Sequence, residues 1–173
     1  MHIELVKYPD VFLRSESHPV KFPLDDKTKR LILWMTRAMY QHHGIGLAAI
    51  QVGYQLRMFV MDCSRSRTND KVYINPEIVE KSDETLRDSE GCLSAPGKQG
   101  DVKRHLRIIL KYQDKDGKEE KKTFYNLEAR CIQHEMDHLE GRLCIDYEEG
   151  EYNRDKNKSE TMVESDFRAK SDS

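Results

Sequence analysis

Residues 126–141 organise the predicted fold, and they read NLEARCIQHEMDHLEG. Asn126 is a favourable N-cap residue, and Gly141 supplies the left-handed conformation at which helices commonly end. The segment is therefore predicted to be an α-helix. Residues four apart lie on the same face of a helix, so His134 and His138 are close enough to bind a single divalent ion. The spacing indicates a metal site on this helix.

Two histidines at this spacing also occur by chance on acidic, solvated helices. A metal site would need a further ligand from elsewhere in the chain. A catalytic ion takes three protein ligands and keeps one coordination position for water or substrate. Cys92 is the best candidate, because Gly91 lets the backbone approach closely and turn residues follow. The alternative for Cys92 is a small buried side chain. The other cysteines fit that alternative better: Cys63, Cys131 and Cys144.

A third segment, residues 44–51, combines small and apolar residues with one polar side chain at its end, and it reads GIGLAAIQ. It is consistent with a tightly packed turn and strand. In an active site it would instead offer backbone groups beside the metal, with the Gln51 side chain as an amide donor.

The rest of the pattern predicts an α+β fold, in which antiparallel β-sheets pack around the central C-terminal metal-binding helix. An N-terminal helix, capped by Asp25 or Asp26 and ending before Gly44, follows from apolar residues at helical spacing: Leu31, Ile32, Met35, Ala38 and Met39. Strands are predicted in three segments rich in β-branched and aromatic residues: 57–62, 72–75 and 104–113. Asp116 and Gly117 predict a hairpin turn after the third.

Length and charge restrict the protein further. A chain of 173 residues allows one domain, predicted over residues 1–147, followed by a highly charged, flexible tail at 148–173. The 29 basic and 31 acidic residues give a net charge of −2, which argues against nucleic-acid binding. No apolar run is long enough to span a membrane, and the N-terminus lacks a targeting pattern. We therefore expect a cytoplasmic protein with reduced cysteines.

Three separated motifs resemble, in order, those of bacterial-type peptide deformylases: GIGLAAIQ at 44–51, EGCLS at 90–94 and QHEMDHLEG at 133–141. The flanking sequences are similar as well: YPDVFLR at 8–14, INPEIVEKSDET at 74–85 and CIDY at 144–147. The resemblance covers about residues 3–147. It implies a hydrolase that removes the N-formyl group from the N-formyl-methionine of nascent polypeptides and releases formate.

The resemblance also assigns roles to individual residues. It implies that the metal ligands are Cys92, His134 and His138. Glu135 would be the general acid and base, and Gln51 would form the oxyanion hole with the backbone N–H of Leu93. The metal would be Fe²⁺, with Zn²⁺, Ni²⁺ or Co²⁺ as substitutes.

The implied substrate contacts come from several parts of the chain. The substrate backbone would pair with Ile45 and Gly46 as an added strand. The methionine pocket would be lined by Ile45, Leu127 and Cys131, and Glu90 would also contact the substrate. The sequence departs from well-known members at three positions, so the resemblance does not imply the side-chain preference after methionine: Asp88, Gln99 and Glu128. A monomer that acts near the ribosome is expected.

Two other interpretations share parts of this pattern. A peptidase with the H-E-x-x-H motif would take its third ligand from a downstream histidine or glutamate. A non-enzymatic module would close the metal site with a fourth protein ligand from Cys63, Cys131 or Cys144.

Overall fold

The computed structural model describes residues 3–156 as two α-helices and nine β-strands, with short 3₁₀ turns between them. The helices are α1 (Asp26–Gln41) and α2 (Asn126–Leu139). The strands are β1 (Gly46–Ala48), β2 (Met58–Met61), β3 (Lys71–Lys81), β4 (Thr85–Gly91), β5 (Gln99–His105), β6 (Arg107–Gln113), β7 (Glu119–Tyr125), β8 (Tyr147–Glu148) and β9 (Glu151–Tyr152). The predicted α+β class is confirmed.

Helix α1 forms as its sequence predicts. The Asp25 carboxylate accepts a hydrogen bond of 2.8 Å from the backbone N–H of Thr28 and caps the first turn. The buried residues recur at helical spacing: Leu31, Met35, Ala38 and Met39. They pack against apolar residues of β1 and β2, so α1 covers one part of the main sheet.

The main sheet is antiparallel and has the strand order β1-β2-β3-β6-β7. Strand β1 lies at its edge, so one side of β1 has no neighbouring strand within the described part of the chain. The hairpin between β6 and β7 is confirmed. The Asp114 carboxylate accepts the N–H groups of Asp116 and Lys118 in the turn, where Gly117 has a φ of 84°.

The predicted strand over residues 104–113 is wrong in one respect, because the chain changes sheets within it. Strand β5 pairs with β4 in a separate two-stranded sheet, and β6 belongs to the main sheet. At the break, the Gln133 side chain binds both the N–H and the C=O of His105, at 3.0 and 2.8 Å. A side chain of α2 therefore satisfies backbone groups that a continuous strand would pair with its neighbour.

Helix α2 is central: it contacts β1, β2, β5, β6 and β7. The N-cap prediction for Asn126 is wrong. Tyr125 occupies the N-cap position without a side-chain cap, and Asn126 has a φ of 52° while its N–H donates to the carbonyl of Leu106. Gly141 does end the helix in the left-handed conformation, at a φ of 71°. A Cβ there would lie 2.3 Å from the carbonyl oxygen of Arg14.

Regular structure continues beyond residue 147. Strand β8 pairs with β9, and Gly150 forms a bridge with Val102 of β5. The guanidinium carbon of Arg142 lies 4.5 Å from the ring centre of Tyr152. These contacts attach the first part of the predicted tail to the domain, whereas residues 157–173 of that tail lie outside the described residues. Among the described residues, no helix combines the length and apolar character needed to cross a membrane.

Candidate metal centre

Three side chains from two separate elements converge beside α2. Ligand atoms of Cys92, His134 and His138 all lie within 4.8 Å of one another. Cys92 Sγ is 3.4 Å from His138 Nε2. Sulfur and nitrogen ligands of one tetrahedral ion lie at about 2.3 and 2.0 Å from it, and therefore roughly 3.5 Å from each other. The arrangement fits a shared divalent ion.

The charges in this cluster also suit a metal. Burial alone would raise the pKa of the Cys92 thiol, but the positive charge of His138 and a hydrogen bond to His134 lower that pKa well below its usual value. Burial would likewise lower the pKa of His134, but its contacts with Cys92 and Glu90 raise it well above the usual value. A thiolate and two imidazoles form a donor set that divalent transition metals favour.

The other cysteines are not part of this cluster in the described structure. The one group that could hold a metal there contains neither Cys63, Cys131 nor Cys144. A fourth protein ligand, which a closed structural site requires, is therefore not supplied by these residues. The third candidate ligand, Cys92, precedes the helix in the chain, unlike the downstream ligand expected of an H-E-x-x-H peptidase.

Glu90 contacts the cluster through His134 and is itself held by two arginines. Its Oε1 lies 2.9 Å from His134 Nδ1 and accepts a bond of 2.9 Å from Arg104, while its Oε2 accepts bonds from Arg104 and Arg130 at 2.9 and 2.6 Å. Arg104 also donates to Asp137 of α2 at 2.7 Å. The contacts of Glu90 with His134 and Arg104 outweigh the effect of burial and lower the pKa of Glu90 below its ordinary value.

The substrate contact expected of Glu90 stays a prediction, and within the protein its carboxylate has partners of its own. It does line the cavity described below, but both carboxylate oxygens accept hydrogen bonds from protein groups. Its contact with Nδ1 fixes the ring orientation of His134, so that the other ring nitrogen is available to a metal. Its contact with Arg130 was missed in the sequence, since a salt bridge across 40 residues leaves no local pattern.

Glu135 lies next to the metal cluster and against the glycine-rich segment. The residue is 3% exposed, and its Oε2 has no hydrogen-bond partner. Burial raises the pKa of Glu135, with partial opposition from the charges of the two histidines. A Cβ on Gly46 would lie 2.7 Å from Glu135 Oε1 and 2.8 Å from Cys131 Sγ. Only glycine at position 46 leaves room for this carboxylate.

The Gln51 amide is oriented toward the cluster. Its Oε1 accepts the N–H of Ala48 at 2.9 Å, and its Nε2 lies 3.0 Å from Ser94 Oγ and 3.6 Å from Cys92 Sγ. The donor side of the amide therefore faces the cysteine. Leu93 follows in a turn in which the carbonyl of Cys92 accepts the N–H of Ala95.

One expectation about this turn is not met. Gly91 was predicted to allow close backbone approach, but a Cβ at Gly91 would meet no protein atom within 4 Å. Gly44 has this role instead, because a Cβ there would lie 2.6 Å from Leu93 Cδ1. The glycine that allows tight packing around Leu93 is therefore in the first motif.

A cavity of about 430 Å³ opens in front of the cluster. It is lined by ten of the eleven predicted site residues: Ile45, Gly46, Gln51, Glu90, Cys92, Leu93, Leu127, Cys131, His134 and Glu135. His138 lies behind this wall and is 1% exposed. Asp88, Gln99 and Glu128 do not line the cavity, whereas Arg130, which the sequence did not single out, does.

Comparisons with known proteins agree on one family. The family model for polypeptide deformylase matches residues 2–154. A peptide deformylase of Bartonella henselae is 46% identical over 145 residues, which cover 83% of this chain and 82% of that protein. The crystal structure of peptide deformylase from Thermotoga maritima is 39% identical and matches with a TM-score of 0.80, over 85% of this chain and 97% of that one.

A second solved structure contains a bound peptide. It is a class I type b peptide deformylase from Acinetobacter baumannii with Met-Ala-Ser bound. It is 29% identical to this chain and matches with a TM-score of 0.79, over 86% of this chain and 99% of that one.

Proposed function

The chain belongs to the polypeptide deformylase family, and we propose that its activity depends on the centre formed by Cys92, His134 and His138. The enzyme removes the N-formyl group from nascent peptides. One observation carries the proposal for the site: the three ligands meet at the wall of the cavity, with the buried Glu135 carboxylate beside them.

In this proposal, Cys92, His134 and His138 hold one divalent ion. When bound, such an ion lowers the pKa of coordinated water toward neutrality and polarises a nearby carbonyl oxygen. Glu135 accepts the proton of the attacking water and returns it to the departing amine. The Gln51 amide and the N–H of Leu93 donate to the formyl oxygen as it gains negative charge. To do so, Gln51 exchanges its bond to Ser94 for one to the substrate.

The substrate lies along the free edge of β1 in this proposal. Its backbone pairs with Ile45 and Gly46 as an added strand, and its methionine side chain enters the apolar part of the cavity between Ile45, Leu127 and Cys131. The bound Met-Ala-Ser peptide of the Acinetobacter relative supports a site for the N-terminal residues of a peptide. Close packing of Gly46 against Glu135 favours the small formyl group over larger acyl groups.

The finer assignments belong to the same proposal. Fe²⁺ is proposed as the native metal, with Zn²⁺, Ni²⁺ or Co²⁺ as substitutes, because a thiolate and two imidazoles bind all four. We also propose that the enzyme acts in the cytoplasm as a monomer near the ribosome, since its substrate is a nascent chain. The catalytic domain is proposed to include the β8–β9 hairpin, which packs on β5.

The test is a formate-release assay on formyl-Met-Ala with protein purified without oxygen, together with analysis of its metal content. We expect one metal ion per chain and formate as a product. Glu135→Ala should keep the metal and lose about 10²- to 10⁴-fold in kcat, the usual contribution of a positioned proton-transfer group. Glu128→Ala is the matched control, because this glutamate is exposed on the same helix and does not line the cavity.

Three outcomes would contradict the proposal. An active Glu135→Ala protein would refute the acid–base assignment. Metal loss on mutation of Cys131 or Cys144 would favour a closed structural site. Cleavage of internal peptide bonds without formate release would favour a peptidase.

A further inference from the structure

A loop beside the cavity, residues 62–69, is folded around one buried carboxylate. Asp62 is 1% exposed. Its Oδ1 accepts the N–H and the hydroxyl of Ser64 at 2.8 and 2.6 Å, and its Oδ2 accepts the hydroxyl of Tyr40 and the N–H of Asn69 at 2.6 and 3.1 Å. Four donors on one carboxylate give this loop, here called the Asp62 loop, a defined shape.

The Asp62 loop directs one arginine toward the cavity wall. Arg67 has a φ of 57°, and its backbone N–H donates to Ser64 Oγ at 3.2 Å. Its guanidinium donates to the carbonyl of Asp62 at 2.5 Å and to the carbonyl of Gly44. The guanidinium carbon also lies 5.1 Å from the centre of the Tyr40 ring. Arg67 therefore joins the Asp62 loop to the segment that precedes β1.

The position of Gly44 makes this contact relevant to the cavity. Residues 43–46 all line it. The Ile45 carbonyl accepts the N–H of Asp62 at 2.8 Å, and Gly46 pairs with Met61 of β2. These bonds hold Ile45 and Gly46 against β2 and the residue that follows it. Strand β1 is only three residues long and has one neighbour in the main sheet. Before it, the Gly44 N–H donates to the Met39 carbonyl at the end of α1 at 2.9 Å, and the Gly44 carbonyl is the group that Arg67 binds.

We propose that Arg67 is a positioning residue for peptide binding. This proposal rests on the proposed role of Ile45 and Gly46 as the strand that the substrate joins. By holding the Gly44 carbonyl, Arg67 fixes the outer end of that strand before a peptide arrives. A preorganised edge spares a peptide the cost of ordering it. Gly44 also packs on Leu93, so the same contact supports the turn that follows Cys92.

The experiment compares Arg67→Ala with Arg65→Ala, an exposed arginine of the same loop. For formyl-Met-Ala-Ser, Arg67→Ala should raise KM about five- to tenfold and change kcat less than about twofold, the signature of lost ground-state binding. The increase should be smaller for formyl-Met-Ala, which covers less of the strand. Arg67→Lys should lie between wild type and Arg67→Ala, because an ammonium binds the carbonyls without the fixed fork of a guanidinium.

Hydrogen exchange provides a readout that does not depend on catalysis. The backbone amides of residues 44–46 should exchange faster in Arg67→Ala than in Arg65→Ala, in the absence of peptide. Equal exchange in the two variants, or equal KM values, would overturn the positioning role. A parallel loss of kcat for both peptides would also overturn it. If wild-type protein released no formate, the proposed function would fail, while the exchange comparison would still test the contact.

Discussion

The two α-helices differ in what they bury. Helix α1 buries only apolar residues, which pack against the main sheet: Leu31, Met35, Ala38 and Met39. Helix α2 buries three polar residues beside its apolar ones: Gln133, Glu135 and His138. Burying a polar group costs free energy unless a hydrogen bond compensates. Helix α2 is therefore a less favourable way than α1 to build a core.

Not all of the buried polar side chains of α2 have their hydrogen bonds satisfied. The Gln133 amide is satisfied by His105 and by the carbonyl of Ala129. In contrast, Glu135 Oε2 and His138 Nδ1 are buried without a hydrogen-bond partner among the described residues. Local rules of folding are most often broken where a site serves function. We therefore expect α1 to serve mainly stability, and α2 to serve the proposed chemistry as well.

The strongest test of this division removes apolar volume from α1. Met35 is fully buried, so Met35→Ala should leave a cavity and lower the free energy of unfolding by about 2–5 kcal/mol. Denaturant titration measures this loss. At a temperature where the variant is folded, its kcat/KM for a formyl-Met peptide should equal that of wild type.

The matching change in α2 is Glu135→Gln, which keeps the volume and removes the buried carboxylate. In metal-free protein at neutral pH, its free energy of unfolding should equal or exceed that of wild type, because a raised pKa means that the folded state disfavours the charged form. A large fall in stability in Glu135→Gln, or a fall in activity in folded Met35→Ala, would break the division between the helices.

A smaller effect concerns the polar contact at the end of α1, where the Tyr40 hydroxyl donates to Asp62. Burial opposes ionisation of Asp62, but bonds from Ser64, Tyr40 and Asn69 lower its pKa below the usual value of 3.8. A carboxyl with a lower pKa in the folded state stabilises the fold above the unfolded pKa. That stabilisation disappears as the pH falls through the folded value.

Asp62→Asn therefore provides the test, in metal-free protein so that metal loss does not contribute. The melting temperature of the variant should lie below that of wild type at pH 7. The difference should shrink as the pH is lowered below about 4, near the ordinary pKa of an aspartate. A difference that stays constant between pH 7 and pH 3 would contradict the role of the Asp62 charge.

The same contrast explains which features could be predicted from the sequence. Both helices have local signals, namely apolar spacing in α1 and the His134–His138 spacing in α2. The pairing of these histidines with Cys92 was reached from the ligand count that a catalytic metal needs and from the three ordered motifs. Each of these features depends on residues that are close in the sequence or on a resemblance to a family.

Features that depend on distant partners were not predicted. Strand β4 is mostly exposed and has little β-forming sequence, and it exists because it pairs with β5 along its whole length. The break at Leu106 depends on the Gln133 amide, which lies 28 positions from the His105 backbone that it binds. The contact between Glu90 and Arg130 and that between Arg67 and Gly44 are also long-range. Local sequence patterns do not predict such contacts.

The smallest effect is expected from replacing one exposed leucine in each helix. Leu33 of α1 is 60% exposed and Leu127 of α2 is 52% exposed, so Leu→Gln at either position should change the free energy of unfolding by less than about 0.5 kcal/mol. Only Leu127 lines the cavity. Leu127→Gln should therefore raise KM for formyl-Met-Ala about three- to tenfold through lost apolar contact with the methionine side chain, with kcat unchanged. Leu33→Gln should leave both constants at wild-type values, and a rise in KM in this variant would mean that α1 also contributes to substrate binding.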